Sequence, residues 1–162
     1  MMLGYLNNEE EENKVIKMDE DNIRWIHSGD LGYIDKEGFL YIVGRIKRMI
    51  IRGGFKLYPS EIENTILKND LISQCCVVAI PSEQYGNEPV AYIVLKDNVA
   101  YKEEIREQLL KLCSEGLPEY SIPSDIVIID KMPLTSVGKI DYKKLEASYG
   151  EKQKSLSKNF NK

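Results

Sequence analysis

The 162 residues hold one ordinary domain, or a small domain with part of another. An apolar fraction of 43% beside 30% charged residues supports a packed core yet supplies no run long enough to span a bilayer, so a membrane-spanning class is excluded. A net charge of -4 argues against general nucleic-acid binding, and an acidic start, Glu9 to Glu12, is unlike a secretory leader, which points to a cytoplasmic protein.

In chain order, residues 1 to 24 are polar, with alternation too weak to define a strand and an acidic cluster that disfavours compaction, so a linker-like segment is expected. From Trp25 onward, "LGYID" and "FLYIVG" read as two strands of a hairpin whose turn is supplied by Gly38. "YPSEIENTIL" predicts a helix: Pro59 suits its first positions, Ser60 or a neighbour serves as cap, and Ile62 and Ile66 share a face. The apolar runs "CCVVAI" and "PVAYIVL", separated by the turn-rich "PSEQYGNE", predict two buried strands that pair. "YKEEIREQLLKLC" places Ile105, Leu109 and Cys113 at helical spacing, "SDIVIID" is the last strand, and "DYKKLEASYG" is a short helix that Gly150 terminates. The polar residues 151 to 162 are expected to be disordered. The fold class is α+β: a short antiparallel hairpin, then a small lobe with a three-stranded sheet and flanking helices. Cys75, Cys76 and Cys113 lack metal-ligand spacing and read as reduced core residues, with no metal site implied.

Three glycine-bearing loops combine a permissive backbone with charge. In "HSGDL", Asp30 follows Gly29; a carboxylate at a tight turn accepts from two adjacent hydroxyls, as on a ribose, or simply caps the turn. His27 beside it has no partner nucleophile. In "GRIKRMIIRGGFK", Arg45, Lys47, Arg48, Arg52 and Lys56 occupy a window without acids, giving a local positive field suited to phosphate-rich ligands, or a charged strand edge. Gly53 and Gly54 within it permit a ligand to approach backbone amides. In "MPLTSVGKIDYKKL", Thr135 and Ser136 offer hydroxyls and Gly138 precedes Lys139, without the spacing of a phosphate-cradling Walker loop. By composition alone, Lys139 is a surface lysine.

Read together and in order, "HSGDLGYID", "GRIKRMIIRGGFKLYPSEIE" and "PLTSVGKIDYKKL" resemble the carboxy-terminal portion of the adenylate-forming enzymes, the superfamily of acyl- and aryl-CoA synthetases and peptide-synthetase adenylation domains. The resemblance covers residues 3 to 147. It implies that residues 1–46 are the tail end of a large amino-terminal adenylation domain, that 47–150 form a mobile lobe, and that Lys47 is the hinge between them. It implies that Asp30 and Arg45 contact the nucleotide, that Lys139 catalyses adenylation by bridging the carboxylate and the α-phosphate, and that Gly53 and Gly54 line the CoA passage. Lys47 departs from the aspartate of many members, and Ile51 and Val137 depart from commoner residues away from the proposed chemistry. "LYPSEIE" favours CoA over a carrier protein as thiol acceptor; the carrier-protein-dependent lid is the alternative. The cofactors implied are ATP/AMP and CoA, with Mg expected only alongside the amino-terminal domain. The partners are a nucleotide, a carboxylic acid, CoA, and in another reading a separately encoded amino-terminal half. The phosphate-binding loop and acyl pocket are not in this sequence, so the chain is expected to begin inside such an enzyme and to be inactive by itself.

Overall fold

The centre of the carboxy-terminal unit is a three-stranded sheet clothed on both faces, which explains why its strands read as unbroken apolar runs. The structure, a computed structural model, describes residues 2–97, 99 and 103–150. The strands are β7 (Ile72–Ser82), β8 (Gly86–Leu95) and β9 (Asp125–Ile128), in the order β7-β8-β9. β7 and β8 are an antiparallel pair, and β9 runs parallel to β8. Parallel pairing needs a crossover, supplied by α3 (Glu103–Gly116).

Alternation along the strands divides the core. Val77, Ala91, Ile93 and Ile126 face a cluster with Ile62 and Ile66 of α2 (Pro59–Ile66) and with Leu109 and Cys113 of α3. Cys76, Val78, Val90, Tyr92 and Val127 face the other way, onto Met132, Leu145 and Tyr149. The last two belong to a helix over 142–150, α4. Ahead of the sheet, β5 (Ile50–Arg52) and β6 (Phe55–Leu57) form a small antiparallel hairpin whose Ile50 and Leu57 enter the first cluster. The α+β class, the three-stranded sheet and its flanking helices agree with the sequence reading. One detail differs: the residue preceding α2 is Tyr58, which makes no side-chain capping bond, and Pro59 occupies the first turn. The long β7–β8 hairpin also absorbs much of the expected loop, leaving residues 83–85 as the turn.

The chain divides between Lys47 and Arg48 into two units. In the first, the expected hairpin is β3 (Asp30–Ile34) paired with β4 (Leu40–Arg45), closed by a turn in which Gly38 has φ +90°. Its start is more structured than the sequence suggested. Residues 1 to 24 contain α1 (Glu9–Val15) and β1 (Ile16–Met18), which pairs with β2 (Arg24–Ile26). The acidic cluster, rather than opposing compaction, fills the first turn of α1: the Asn8 side chain accepts from the Glu11 amide at 3.2 Å, and four glutamates sit at the positive end of the helix dipole. Lys14 balances them, with Nζ 2.9 Å from Glu10 and 2.7 Å from Glu11. Residues 151 to 162, expected to be disordered, lie outside the described residues.

Candidate functional site

Asp30 opens β3 directly after Gly29, and its strand partner in the register is Arg45, the last residue of β4. The turn before it is fixed by two bonds: the Ile46 amide donates to the Gly29 carbonyl at 2.9 Å, and the Asp30 amide donates to Ser28 Oγ at 3.2 Å. Arg45 Nε lies 2.8 Å from Asp30 Oδ1, with the arginine side chain 66% exposed and the aspartate 28%. The pair therefore offers a carboxylate with remaining lone pairs beside a guanidinium whose terminal nitrogens have no ion-pair partner among the described residues. Vicinal hydroxyls and a nearby phosphate suit those two groups respectively.

Lys47 is exposed and sits in the 3-10 turn Ile46–Arg48, where the two units meet in sequence. The positive field expected for the segment around it is reduced, because its arginines are occupied. Arg48 pairs with Glu63 at 2.7 Å, and Arg52 donates to the carbonyls of Tyr120 and Ile122 at 3.1 and 3.0 Å, with Glu88 3.9 Å away. Lys47 and Lys56 make no ion pair among the described residues, so the field that remains comes from these lysines and the exposed terminal nitrogens of Arg45. The isolated sequence window hid this because the compensating groups are distant in sequence.

Gly53 and Gly54 form the tip of the β5–β6 hairpin, with φ of +55° and +89°. The Gly53 amide donates to the Tyr85 carbonyl at 2.9 Å, which fastens the tip to the β7–β8 turn. Beside it lies a cavity of about 330 Å³ lined by Arg52, Gly53, Phe55, Tyr85, Glu119 and Tyr120. Phe55 and Tyr120 stack at 4.7 Å, and the Arg52 guanidinium lies over the Tyr85 ring at 5.1 Å. None of Tyr85, Glu119 and Tyr120 was singled out from sequence; they reach the glycine pair only through folding.

Lys139 is exposed, on a loop whose two ends are buried. Met132 and Leu145 anchor the flanks at 3% and 2% exposure. Between them Leu134 and Ile140 form an antiparallel bridge, the Thr135 amide donates to the Lys139 carbonyl at 2.7 Å, and the Gly138 amide donates to the Thr135 carbonyl at 3.0 Å. A turn closed by a residue of positive φ is the three-residue hairpin pattern, and Gly138, at +80°, fills that place. Thr135 Oγ1 accepts from the Lys139 amide at 3.2 Å. After the loop, Asp141 caps α4 by accepting from the Lys144 amide at 3.1 Å. The Lys139 ammonium makes no ion pair among the described residues and projects from a braced backbone.

The structure thus brings Asp30 and Arg45 together in the first unit, and sets the glycine pair and Lys139 on separate loops of the second. The cysteines are unsuited to chemistry. Cys76 and Cys113 are buried and all three are free thiols; burial pushes Cys76 up to about 12 and Cys113 up to about 11, and Cys75 higher still. Among the described residues no group of histidine, cysteine and acidic side chains could hold a metal ion, and no helix is long and apolar enough to cross a membrane.

Residues 61–139 match the family described as AMP-binding enzyme C-terminal domain. A medium/long-chain-fatty-acid–CoA ligase of Mycobacterium tuberculosis is 36% identical over 131 residues, covering 78% of this chain and 23% of the relative. A 2-succinylbenzoate–CoA ligase of Listeria monocytogenes is 36% identical over 127 residues, covering 78% of this chain and 26% of the relative. Among solved structures, an anthranilate CoA ligase in complex with anthranoyl-AMP superposes with a TM-score of 0.78 at 27% identity, over 90% of this chain and 27% of that one. The chain spans about a quarter of the length of the curated relatives it matches. It belongs, through its AMP-binding C-terminal domain, to the adenylate-forming acyl- and aryl-CoA ligases, of which it represents the carboxy-terminal portion.

Proposed function

We propose that this chain is the mobile lid of an AMP-forming acyl-CoA synthetase. In the first step, a carboxylate oxygen bonds to the α-phosphorus of ATP and the bond to the β-phosphate oxygen breaks, releasing pyrophosphate. In the second, the CoA sulfur bonds to the acyl carbon, AMP departs and the thiol proton is lost. Two anions approach each other in the first step. A cation about 4 Å from either, at an effective dielectric near 20, supplies roughly 4 kcal/mol before desolvation is subtracted.

The observation that carries this reading is the setting of Lys139: an ammonium without an ion-pair partner among the described residues, on a hydrogen-bonded loop anchored at Met132 and Leu145. Such a loop delivers charge to one place and withdraws it when the lobe turns. Lys47, at the division between the units, is the proposed pivot. Asp30 holds the ribose hydroxyls, and Arg45 contacts the same nucleotide. Gly53 and Gly54 admit pantetheine beside the aromatic cavity, and the "LYPSEIE" stretch that follows them favours CoA over a carrier protein as the acceptor. Magnesium belongs with the amino-terminal domain. A protein of this kind needs a phosphate loop and acyl pocket, so the chain by itself is expected to release no pyrophosphate from ATP with fatty or aromatic acids. Joined to a large domain carrying those elements, it is expected to restore both half-reactions. Turnover by the chain alone, or a joined enzyme without either half-reaction, contradicts the proposal.

In a second reading, the chain docks on a separately encoded amino-terminal half. The first unit exposes Trp25, Tyr33, Ile34, Phe39 and Leu40, which a large domain would cover whether joined or separate. Association of the chain with a separately produced large domain, followed by adenylation, distinguishes this arrangement from a single polypeptide.

A further inference from the structure

Arg48, the first residue after the proposed pivot, is partly buried in a position that a solvent-facing cation has no need to take. β7 is an edge strand, and on its open side Val77 presents a backbone amide and carbonyl that no fourth strand satisfies. Two side chains take the place of that strand. Glu63 Oε1 accepts from the Val77 amide at 2.9 Å, and Arg48 Nη2 donates to the Val77 carbonyl at 3.1 Å and to the same Glu63 oxygen at 2.7 Å. With side-chain exposures of 25% for Arg48 and 13% for Glu63, the pair is shielded from the water that weakens surface ion pairs.

The guanidinium has a further contact. Its Cζ stands 4.4 Å from the centroid of Tyr142, the first residue of α4 and the third residue after Lys139. Tyr142 follows Asp141, which caps α4 and whose amide donates to the Pro133 carbonyl at 2.9 Å, closing the base of the Lys139 loop. Arg48 therefore joins four parts of the second unit: the segment after the pivot, α2, the edge of the sheet and the root of the loop.

We propose that Arg48 is a positioning residue for Lys139, fastening the chain just beyond the pivot to the loop base through the Tyr142 ring, so that rotation at Lys47 moves the loop as a rigid extension. The proposal rests on the role given to Lys139 above, but the contact itself is testable without catalysis.

The experiment is amide hydrogen exchange, followed by NMR on the 162-residue chain, for wild type, Tyr142→Leu, Tyr142→Phe and Arg48→Lys. The reporters are the amides of Thr135, Asp141 and Leu145, all bonded at the loop or its base. The references are Val90 and Ile93 at the centre of the sheet. Tyr142→Leu and Arg48→Lys are expected to speed exchange at the three reporters by roughly two- to fivefold, the scale of one cation–π contact, with the references unchanged. Tyr142→Phe keeps the ring face and is expected to restore wild-type exchange. Unchanged reporters in Tyr142→Leu, an equal acceleration of reporters and references, or a Phe variant as fast as the Leu variant each overturn the proposal. Altered loop exchange together with full adenylation by a Lys139→Ala enzyme would instead remove the role of Lys139 and leave the Arg48 contact in place.

Discussion

Asp30 and Arg45 stand opposite each other at the open end of the β3–β4 pair, and Arg45 Nε meets Asp30 Oδ1 at 2.8 Å. An exposed ion pair of this kind contributes at most about 1 kcal/mol to stability. A carboxylate accepting from ribose hydroxyls contributes more to binding, about 1.5–3 kcal/mol. Asp30→Asn is therefore expected to leave the melting temperature nearly unchanged while weakening nucleotide binding by roughly 10- to 100-fold, the same energy expressed as affinity. Thermal melting checks the first half of this statement, and calorimetric titration of AMP into the chain joined to a large amino-terminal domain checks the second; unchanged affinity contradicts the assignment of Asp30.

The role proposed for the glycine tip concerns only the second half-reaction. A Cβ on Gly54 meets nothing within 4 Å, so any effect of Gly54→Ala on folding comes from its φ of +89°. We expect a loss of about 1 kcal/mol, the ordinary cost of placing an alanine at positive φ. In the completed enzyme, thioester formation from supplied acyl-adenylate is expected to slow more than adenylation does. Equal slowing of both steps would remove the glycine pair from the CoA passage.

Thiol chemistry reports on the core. Burial raises the thiols of Cys76 to about 12 and of Cys113 to about 11, from an ordinary value near 9. Because the folded state holds these protons more tightly than the unfolded state, the associated stability is complete below pH 9 and is lost as pH rises through 11 to 12. The melting temperature is expected to stay level up to about pH 9 and then fall, and Cys113→Ala is expected to flatten part of that fall. At pH 8, a disulfide reagent is expected to titrate Cys76 and Cys113 only on unfolding, and rapid reaction of either thiol in the native Cys75→Ser protein contradicts their placement in the core.

Most of the second unit was legible in its sequence because its strands are covered on both faces. "CCVVAI" and "PVAYIVL" could not be anything but buried elements once helices with one apolar face lay on either side. The first unit was harder. Four consecutive glutamates read as a solvated run, and only the Asn8 cap and the spacing of Lys14 reveal α1. The basic segment misled for a related reason. Arg48 finds Glu63 fifteen residues away, and Arg52 finds the Tyr120 carbonyl at a separation of 68, so a local window saw cations without their partners. Lys139 was legible as a candidate only because its glycine, its place after the last strand and two distant motifs occurred together. The aromatic cavity beside Gly53 was not legible, since Phe55, Tyr85 and Tyr120 meet only through tertiary structure.

The most direct test of the account substitutes Lys139 and measures the half-reactions separately in the enzyme completed with its large domain. Lys139 is exposed, so Lys139→Ala is expected to leave folding intact. It is expected to depress acyl-adenylate formation by about a hundredfold or more, a loss of the size seen when one preorganised charge-stabilising group is removed. Thioester formation from supplied adenylate is expected to proceed at close to the wild-type rate. Equal loss in the two half-reactions, or undiminished adenylation, contradicts the claim that this lobe carries one cation to two repelling anions and then withdraws it.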